Sequence, residues 1–281
     1  MKNILSVQAL AWLLLTASCI LFVLAGIHSA LKRTSWEKKR QRKIFLTTTA
    51  AIMVWTALVL VLSYEGFFSD FSKLPPRPAL AMIIPLPLVI MIAVSRKGTQ
   101  FLRSVPSHWL VYLQSFRIIV ELFLLSAFMA AKLPVQMTFE GRNFDVLTGL
   151  LALPVGYLVA TKRSHAKRLA IAFNIIGMLL LVNILVIAVL SMPTPIRHFM
   201  NEPANTIVAR FPFILLPAVL VPLAYTLHIF SLRQLLGKHE SRPNSRRLAS
   251  SDSSKGFVTV LSSELNVQVP ITIGSDATKA K

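Results

Sequence analysis

Residues 114–145 read QSFRIIVELFLLSAFMAAKLPVQMTFEGRNFD. The stretch is an apolar run interrupted by Gln114, Arg117 and Glu121 and closed by Glu140, Arg142, Asn143 and Asp145. An ionisable side chain at the centre of a bilayer costs roughly 2.5–3.5 kcal/mol on insertion scales, so such residues face a bundle interior or a wet cavity. Arg117 and Glu121 are four residues apart and share one face of a helix, with Gln114 on the same face. Their spacing suggests a mutual ion pair, either lining a polar pocket or pinning this helix to its neighbours. The stretch therefore reads as a membrane helix carrying a buried polar face, followed by a polar loop.

Working outward, the composition agrees. Of 281 residues, 54% are hydrophobic and only 15% charged, where a soluble domain carries about 25% charged residues. Mean hydropathy is +0.64. A net charge of +19 raises the question of nucleic acid. However, the basic residues sit in short clusters between apolar runs, the pattern that sets topology in a bilayer rather than one that grips a phosphate backbone. The single cysteine, Cys19, excludes a disulfide framework and a multi-cysteine metal site. Lys2 and the run after Ile4 resemble a signal peptide. Yet that run extends to about Ala30, beyond the roughly 7–15 residues of a signal core, so an uncleaved first helix is expected.

Seven segments approach the length of about 20 residues needed to span hydrocarbon: Leu5–Leu31, Ile44–Tyr64, Ala79–Ser95, Trp109–Ala131, Phe144–Thr161, Leu169–Met192 and Ile207–Leu232. The fold expected is an all-α, seven-span membrane bundle over residues 1–236, with a mostly disordered cytoplasmic tail over 237–281. The third segment holds Pro85 and Pro87, which remove backbone donors and bend or unwind a helix. The seventh holds Pro212, Pro217 and Pro222. This echo between the third and seventh segments hints at a repeat of the kind found in transporters. Alternate loops hold 19 Lys and Arg on one side against seven on the other, which places the N-terminus outside and the C-terminus inside. In the tail, Phe257–Leu261 and Val267–Ile273 are β-prone and could pair as a hairpin.

Candidate site residues follow from the same reading. Asn143 is placed to cap the fifth helix, with Asp145 in its first turn against the positive end of the dipole. The alternative is an outer mouth formed by Glu140, Arg142 and Asp145. Asp145, Thr148, Gly149, Ala152 and Gly156 form a small-residue stripe, a pattern of close helix packing. Asn174 and Asn183, nine residues apart, point to opposite faces of the sixth helix, so one pocket cannot hold both directly. Tyr225, His228 and His28 read as interfacial polar anchors. The basic first loop with Trp36 is expected against anionic headgroups. No phosphate-binding loop, zinc-protease motif, nucleophile elbow or dinucleotide fingerprint occurs, so no cofactor or metal is expected.

The arrangement Arg117-x3-Glu121 followed by Pro134-x-Gln-Met-Thr-Phe-Glu-Gly-x-Asn143-Phe-Asp145-x-Leu-x-Gly149 resembles a family of uncharacterised seven-helix bacterial membrane proteins. The resemblance covers about an eighth of the chain. It implies a bacterial inner membrane and carries no activity across. From the residues, the expected function is a permease-like bundle for a small solute or ion. Glu121 would be its proton-linked carboxylate and Arg117 that carboxylate's partner; Gln114, Glu140, Arg142, Asn143, Asp145 and Asn183 would line the path. The competing expectation is a sensor or scaffold signalling through the basic loops and tail.

Overall fold

The computed structural model describes residues 2–237. The expectations for the tail, its disorder and its hairpin, lie outside the described residues. All described secondary structure is helical, with no strand. Ten α-helices are formed among the described residues: α1 Lys2–Lys32, α2 Lys38–Tyr64, α3 Arg77–Ile83, α4 Leu86–Val94, α5 Arg96–Ser104, α6 Ser107–Tyr112, α7 Phe116–Met129, α8 Val146–Ala160, α9 Ala166–Leu190 and α10 Val221–Leu236.

Six of the expected segments are helices long and apolar enough to cross a membrane: α1, α2, α3 with α4, α6 with α7, α9, and Leu216–Leu236. The fifth is short. Helix α8 has 15 residues, about 22 Å at 1.5 Å per residue, below the roughly 30 Å of a hydrocarbon core. It begins only at Val146 because the preceding residues form a polar turn. The seventh segment also differs from expectation at its start. Ile207–Ala209 is a separate 3-10 turn, and helix resumes as a π turn at Leu216–Leu220 that runs into α10. Pro212 and Pro217 deny backbone donors there.

The third segment breaks at Ile84–Pro85 into α3 and α4, as its prolines imply. Backbone groups near the two irregular points find partners on neighbouring helices, which a low-dielectric interior requires. Tyr225 donates its hydroxyl to the Met82 carbonyl at 3.2 Å, and Trp55 donates its indole N–H to the Ala218 carbonyl at 2.8 Å.

Helices α6 to α10 form the packed centre, and α2 lies at the edge with only Val59 and Ser63 buried. Close packing rests on the small-residue stripe of α8, where Thr148, Gly149, Ala152 and Gly156 are all buried. A Cβ on Gly149 would meet Ile118 at 2.8 Å, and one on Gly156 would meet the Tyr112 ring at 2.7 Å.

One element was not expected. Arg96–Ser104 is a short amphipathic helix that folds back from the end of α4. The Ser95 hydroxyl accepts from Gly98 N at 2.9 Å, capping it. Gly98 is required for this fold-back, since a Cβ there would lie 1.8 Å from the Ile92 carbonyl oxygen. The end of α10 holds α5 in place: Gln234 donates to the Leu102 and Val105 carbonyls at 2.8 and 2.6 Å.

Candidate functional site

Helix α7 delivers Arg117 and Glu121 into the bundle, at 2% and 1% exposure. Their mutual pairing does not form. The partner of Arg117 is Asp145, with Nη1 2.7 Å from Oδ1. The partner of Glu121 is Asn143, whose Nδ2 donates to Oε1 and also to the Met137 carbonyl at 3.1 Å. Spacing within one helix suggested the pairing; a loop that returns over the helix supplies better acceptors and donors.

The loop from Val135 to Asp145 is built for that return. Thr138 donates its hydroxyl to the Val135 carbonyl, and its own carbonyl accepts from Gly141 N and Asn143 N. Asn143 does not cap α8. Its Oδ1 accepts from Asp145 N at 3.1 Å, an Asx turn that aims the amide at Glu121. Asp145 occupies the N-cap position without capping, because its carboxylate is engaged by Arg117. One polar turn thus serves both charges of α7.

The result is a cluster of one guanidinium and two carboxylates, joined by one amide and shielded from solvent. It is incompletely satisfied. Arg117 Nε and Nη2 and Glu121 Oε2 have no hydrogen-bond partner among the described residues. Buried polar groups are overwhelmingly paired, so exceptions mark places where water, protons or ligands take part. Glu121 and Asp145 also border a cavity of about 60 Å³, otherwise lined by apolar side chains of α7, α9 and the π turn, with Met82 of α3. A water needs about 10–15 Å³ of such space. The cavity has room for a few waters or a small ion, and not for a sugar.

The remaining expected residues lie apart from this centre. Gln114 is fully buried and donates to the Ala224 carbonyl at 3.1 Å, tying the α6–α7 junction to α10. Glu140 is exposed. Arg142 is exposed too, its guanidinium 5.4 Å from the Phe199 ring centre. Asn183 faces outward and donates to the Arg142 carbonyl at 3.0 Å. An outer mouth combining Glu140, Arg142 and Asp145 therefore does not assemble in this conformation; Asp145 points inward and the other two outward.

Sequence reading pointed to interhelical hydrogen bonding at Asn174 but did not join it to His228 and Ser231 in a second polar centre. His228 is fully buried rather than interfacial. Its Nδ1 lies 2.9 Å from Asn174 Oδ1, and Asn174 Nδ2 donates to Ser231 at 2.9 Å and to the Ala170 carbonyl at 2.6 Å. The available signal was His228 and Ser231 three apart on one helix face, opposite an asparagine of the preceding helix. No group of three or more metal-ligating side chains occurs among the described residues.

Compared with known proteins, residues 75–236 match the model of a family described as a domain of unknown function (DUF8737), which covers more than half of the chain. No curated protein and no solved structure matches.

Proposed function

Because the chain belongs to this DUF8737 family, which has no assigned activity, the site itself must supply the reading, and we propose a multi-pass membrane protein that moves a proton or a small monovalent cation through the Glu121–Asp145 site. The observation that carries this is the charge count of the cluster. One guanidinium faces two carboxylates, so with all three ionised a negative charge is left over inside the bundle. An uncompensated buried charge is costly, by several kcal/mol. Binding one proton or one small cation cancels it, and the cavity has room for nothing much larger.

Two further features support transport. The cavity borders the π turn and lies beside α3, just before the α3–α4 break. Interrupted helices near the middle of a bundle are the elements that rearrange in alternating access, and π turns recur at functional sites. Both irregular elements can shift without tearing a continuous helix; the π turn lines the space beside Glu121 through Leu216 and Pro217, and Met82, just before the α3–α4 break, lines it too.

The topology that fits is seven spans, with α8 as a short fifth, the N-terminus outside and the basic end in the cytoplasm. Its support is the 19-to-seven distribution of Lys and Arg between alternate loops. The bacterial inner membrane is the setting implied by the same charge rule and by the resemblance described above.

The test is ion flux in proteoliposomes with an imposed pH or cation gradient and a pH-sensitive dye inside. The expected result is flux by the unmodified chain and its loss in Glu121→Gln, with both proteins eluting as the same folded species. Flux that survives Glu121→Gln, or absence of flux from a folded wild-type chain under every gradient, overturns the reading in favour of a sensor or scaffold.

A further inference from the structure

Where α9 ends, the loop between α7 and α8 meets the long connection from α9 to α10, and Gln136, Ser191 and Asn205 are bonded together there. Gln136 donates its side-chain amide to the Ser191 hydroxyl at 3.0 Å, and Asn205 donates its backbone N–H to the Ser191 carbonyl at 2.9 Å. All three are buried, at 4%, 0% and 0% exposure.

The orientation of both side-chain amides is forced. Ser191 gives its own hydroxyl proton to the Ile187 carbonyl at 2.7 Å, so toward Gln136 it can only accept. Asn205 Nδ2 lies 3.1 Å from the Ala188 carbonyl, which also can only accept. Each amide therefore turns its nitrogen to a partner. The oxygens, Gln136 Oε1 and Asn205 Oδ1, have none among the described residues. Buried acceptors without a donor are exceptions to the pairing of polar groups in protein interiors, and here two belong to residues held by one serine.

These residues back onto the cavity beside Glu121. Ala188, whose carbonyl holds Asn205, lines that cavity, and so does Met137, whose sulfur lies 4.0 Å from Asn205 Nδ2. Met137 follows Gln136 in the chain, and its carbonyl accepts from the same Asn143 amide that holds Glu121.

We propose that Gln136 Oε1 and Asn205 Oδ1 receive an alkali cation of sodium's class before it reaches Glu121 and Asp145. Carbonyl oxygens replace the hydration shell of such ions. Amides carry no titratable proton, so the pair suits a metal cation rather than a relayed proton. Neutral ligands also bind an ion without trapping it, as a site of passage requires. A single charge is specified by the one surplus negative charge of the Arg117, Glu121 and Asp145 cluster, and small size by the cavity of about 60 Å³ beyond. The passage assigned to the ion rests on the transport reading above; its binding at Gln136 and Asn205 does not.

The experiment follows thermal unfolding of the full chain in detergent while sodium chloride replaces choline chloride at constant ionic strength. A cation bound by the folded chain alone raises the unfolding midpoint with concentration, which gives an apparent Kd. Sodium is expected to raise the midpoint of the unmodified chain above its value in choline. Loss of one buried acceptor corresponds to about a tenfold change in affinity, so Gln136→Ala is expected to raise the apparent Kd about tenfold. Gln136→Glu is expected to lower it by a similar factor, because an ionised oxygen accepts about twice as strongly as a neutral one. A merely structural glutamine would not give that gain. Absence of any sodium-dependent rise in the unmodified chain overturns the site. So does an apparent Kd left unchanged by Gln136→Ala or, where that variant does not fold, by Gln136→Glu. With flux still lost in Glu121→Gln, such a result removes this site and leaves transport standing. The reverse, shifted affinities in a chain that moves no ion, keeps the binding site and removes its part in passage.

Discussion

The buried polar clusters around Asn143 and Asn174 are assembled differently. Asn143 arrives on a loop and joins two charged systems, holding the Glu121 carboxylate with its amide while its carbonyl orders the turn that presents Asp145 to Arg117. Asn174 arrives on helix α9 and joins His228 and Ser231 of α10, with no carboxylate or guanidinium in its hydrogen bonds. The first cluster leaves a carboxylate oxygen unpaired beside a cavity. The second also leaves a buried atom unpaired, His228 Nε2, but that edge lies against Gly177 and not against the cavity: a Cβ on Gly177 would lie 2.5 Å from His228 Cε1 and 2.8 Å from Nε2. The contrast separates polar burial that binds helices together from polar burial that leaves chemistry available.

The largest expected effect breaks the charged cluster. Asp145→Asn removes the only carboxylate in contact with the buried Arg117 guanidinium among the described residues, leaving Glu121 as a counter-charge that makes no hydrogen bond to it, and loss of one partner of such a pair costs about 3–5 kcal/mol. Denaturation in mixed micelles is expected to show this loss, whereas Arg117→Met combined with Asp145→Leu is expected to recover most of it. Equal losses for the single and double variants would mean that packing, and not charge, holds α7 to the loop. The second effect tests the other cluster. Gly177→Ala forces a methyl into the His228 edge, and overpacking of this kind costs about 1–3 kcal/mol. Combining it with His228→Ala is expected to give a smaller loss than the sum of the two, since the residues are in contact. Additive losses would separate Gly177 from the histidine.

How much of this was legible in the sequence depends on how local each cause is. Hydropathy located six helices of membrane length because burial in lipid demands it residue by residue. The prolines at 85 and 217 marked real interruptions for the same local reason. The opposed faces of Asn174 and Asn183 followed from helical period alone: one is buried against α10 and the other exposed. Partner choice was not local. The i, i+4 spacing of Arg117 and Glu121 offered a pair, and the loop outbid it with residues 22 and 28 positions away. His228 read as interfacial because hydropathy windows see depth and not which neighbour covers a side chain. Helix α5 escaped because nine residues, RKGTQFLRS, are too few and too polar for a span, although Ser95 before them and the Gly98–Leu102 spacing were its signals.

A smaller effect sharpens the contrast at Glu121. Glu121→Gln keeps an acceptor for Asn143 and removes the surplus charge, so global stability is expected to change by less than about 1 kcal/mol or to rise. A change that small in unfolding, alongside complete loss of flux, would place Glu121 in function rather than in the scaffold. A loss as large as that of Asp145→Asn would put both carboxylates in one structural network and remove the asymmetry on which the transport reading stands.

The smallest effect comes from a pair outside the membrane segments and calibrates the others. Arg197 Nη2 lies 3.0 Å from Glu202 Oε1, and that carboxylate is 72% exposed. The Arg197 hydrogen bond, helped by the backbone N–H of Ala204, holds the Glu202 carboxyl below its ordinary value of 4.5. A carboxyl depressed in the folded state adds stability that is fully present above 4.5 and is lost as pH falls through the folded value. Arg197→Gln is therefore expected to move the Glu202 midpoint upward in a carbon-13 carboxyl titration, with unfolding at neutral pH indistinguishable from that of the unmodified chain. An exposed Arg–carboxylate contact of nearly the same length as Arg117–Asp145 would then change only a titration curve. The two contacts differ little in length, so the cost of breaking the buried one is set by what surrounds it: a guanidinium at 2% exposure in a mostly apolar setting, with Nε and Nη2 already without partners among the described residues.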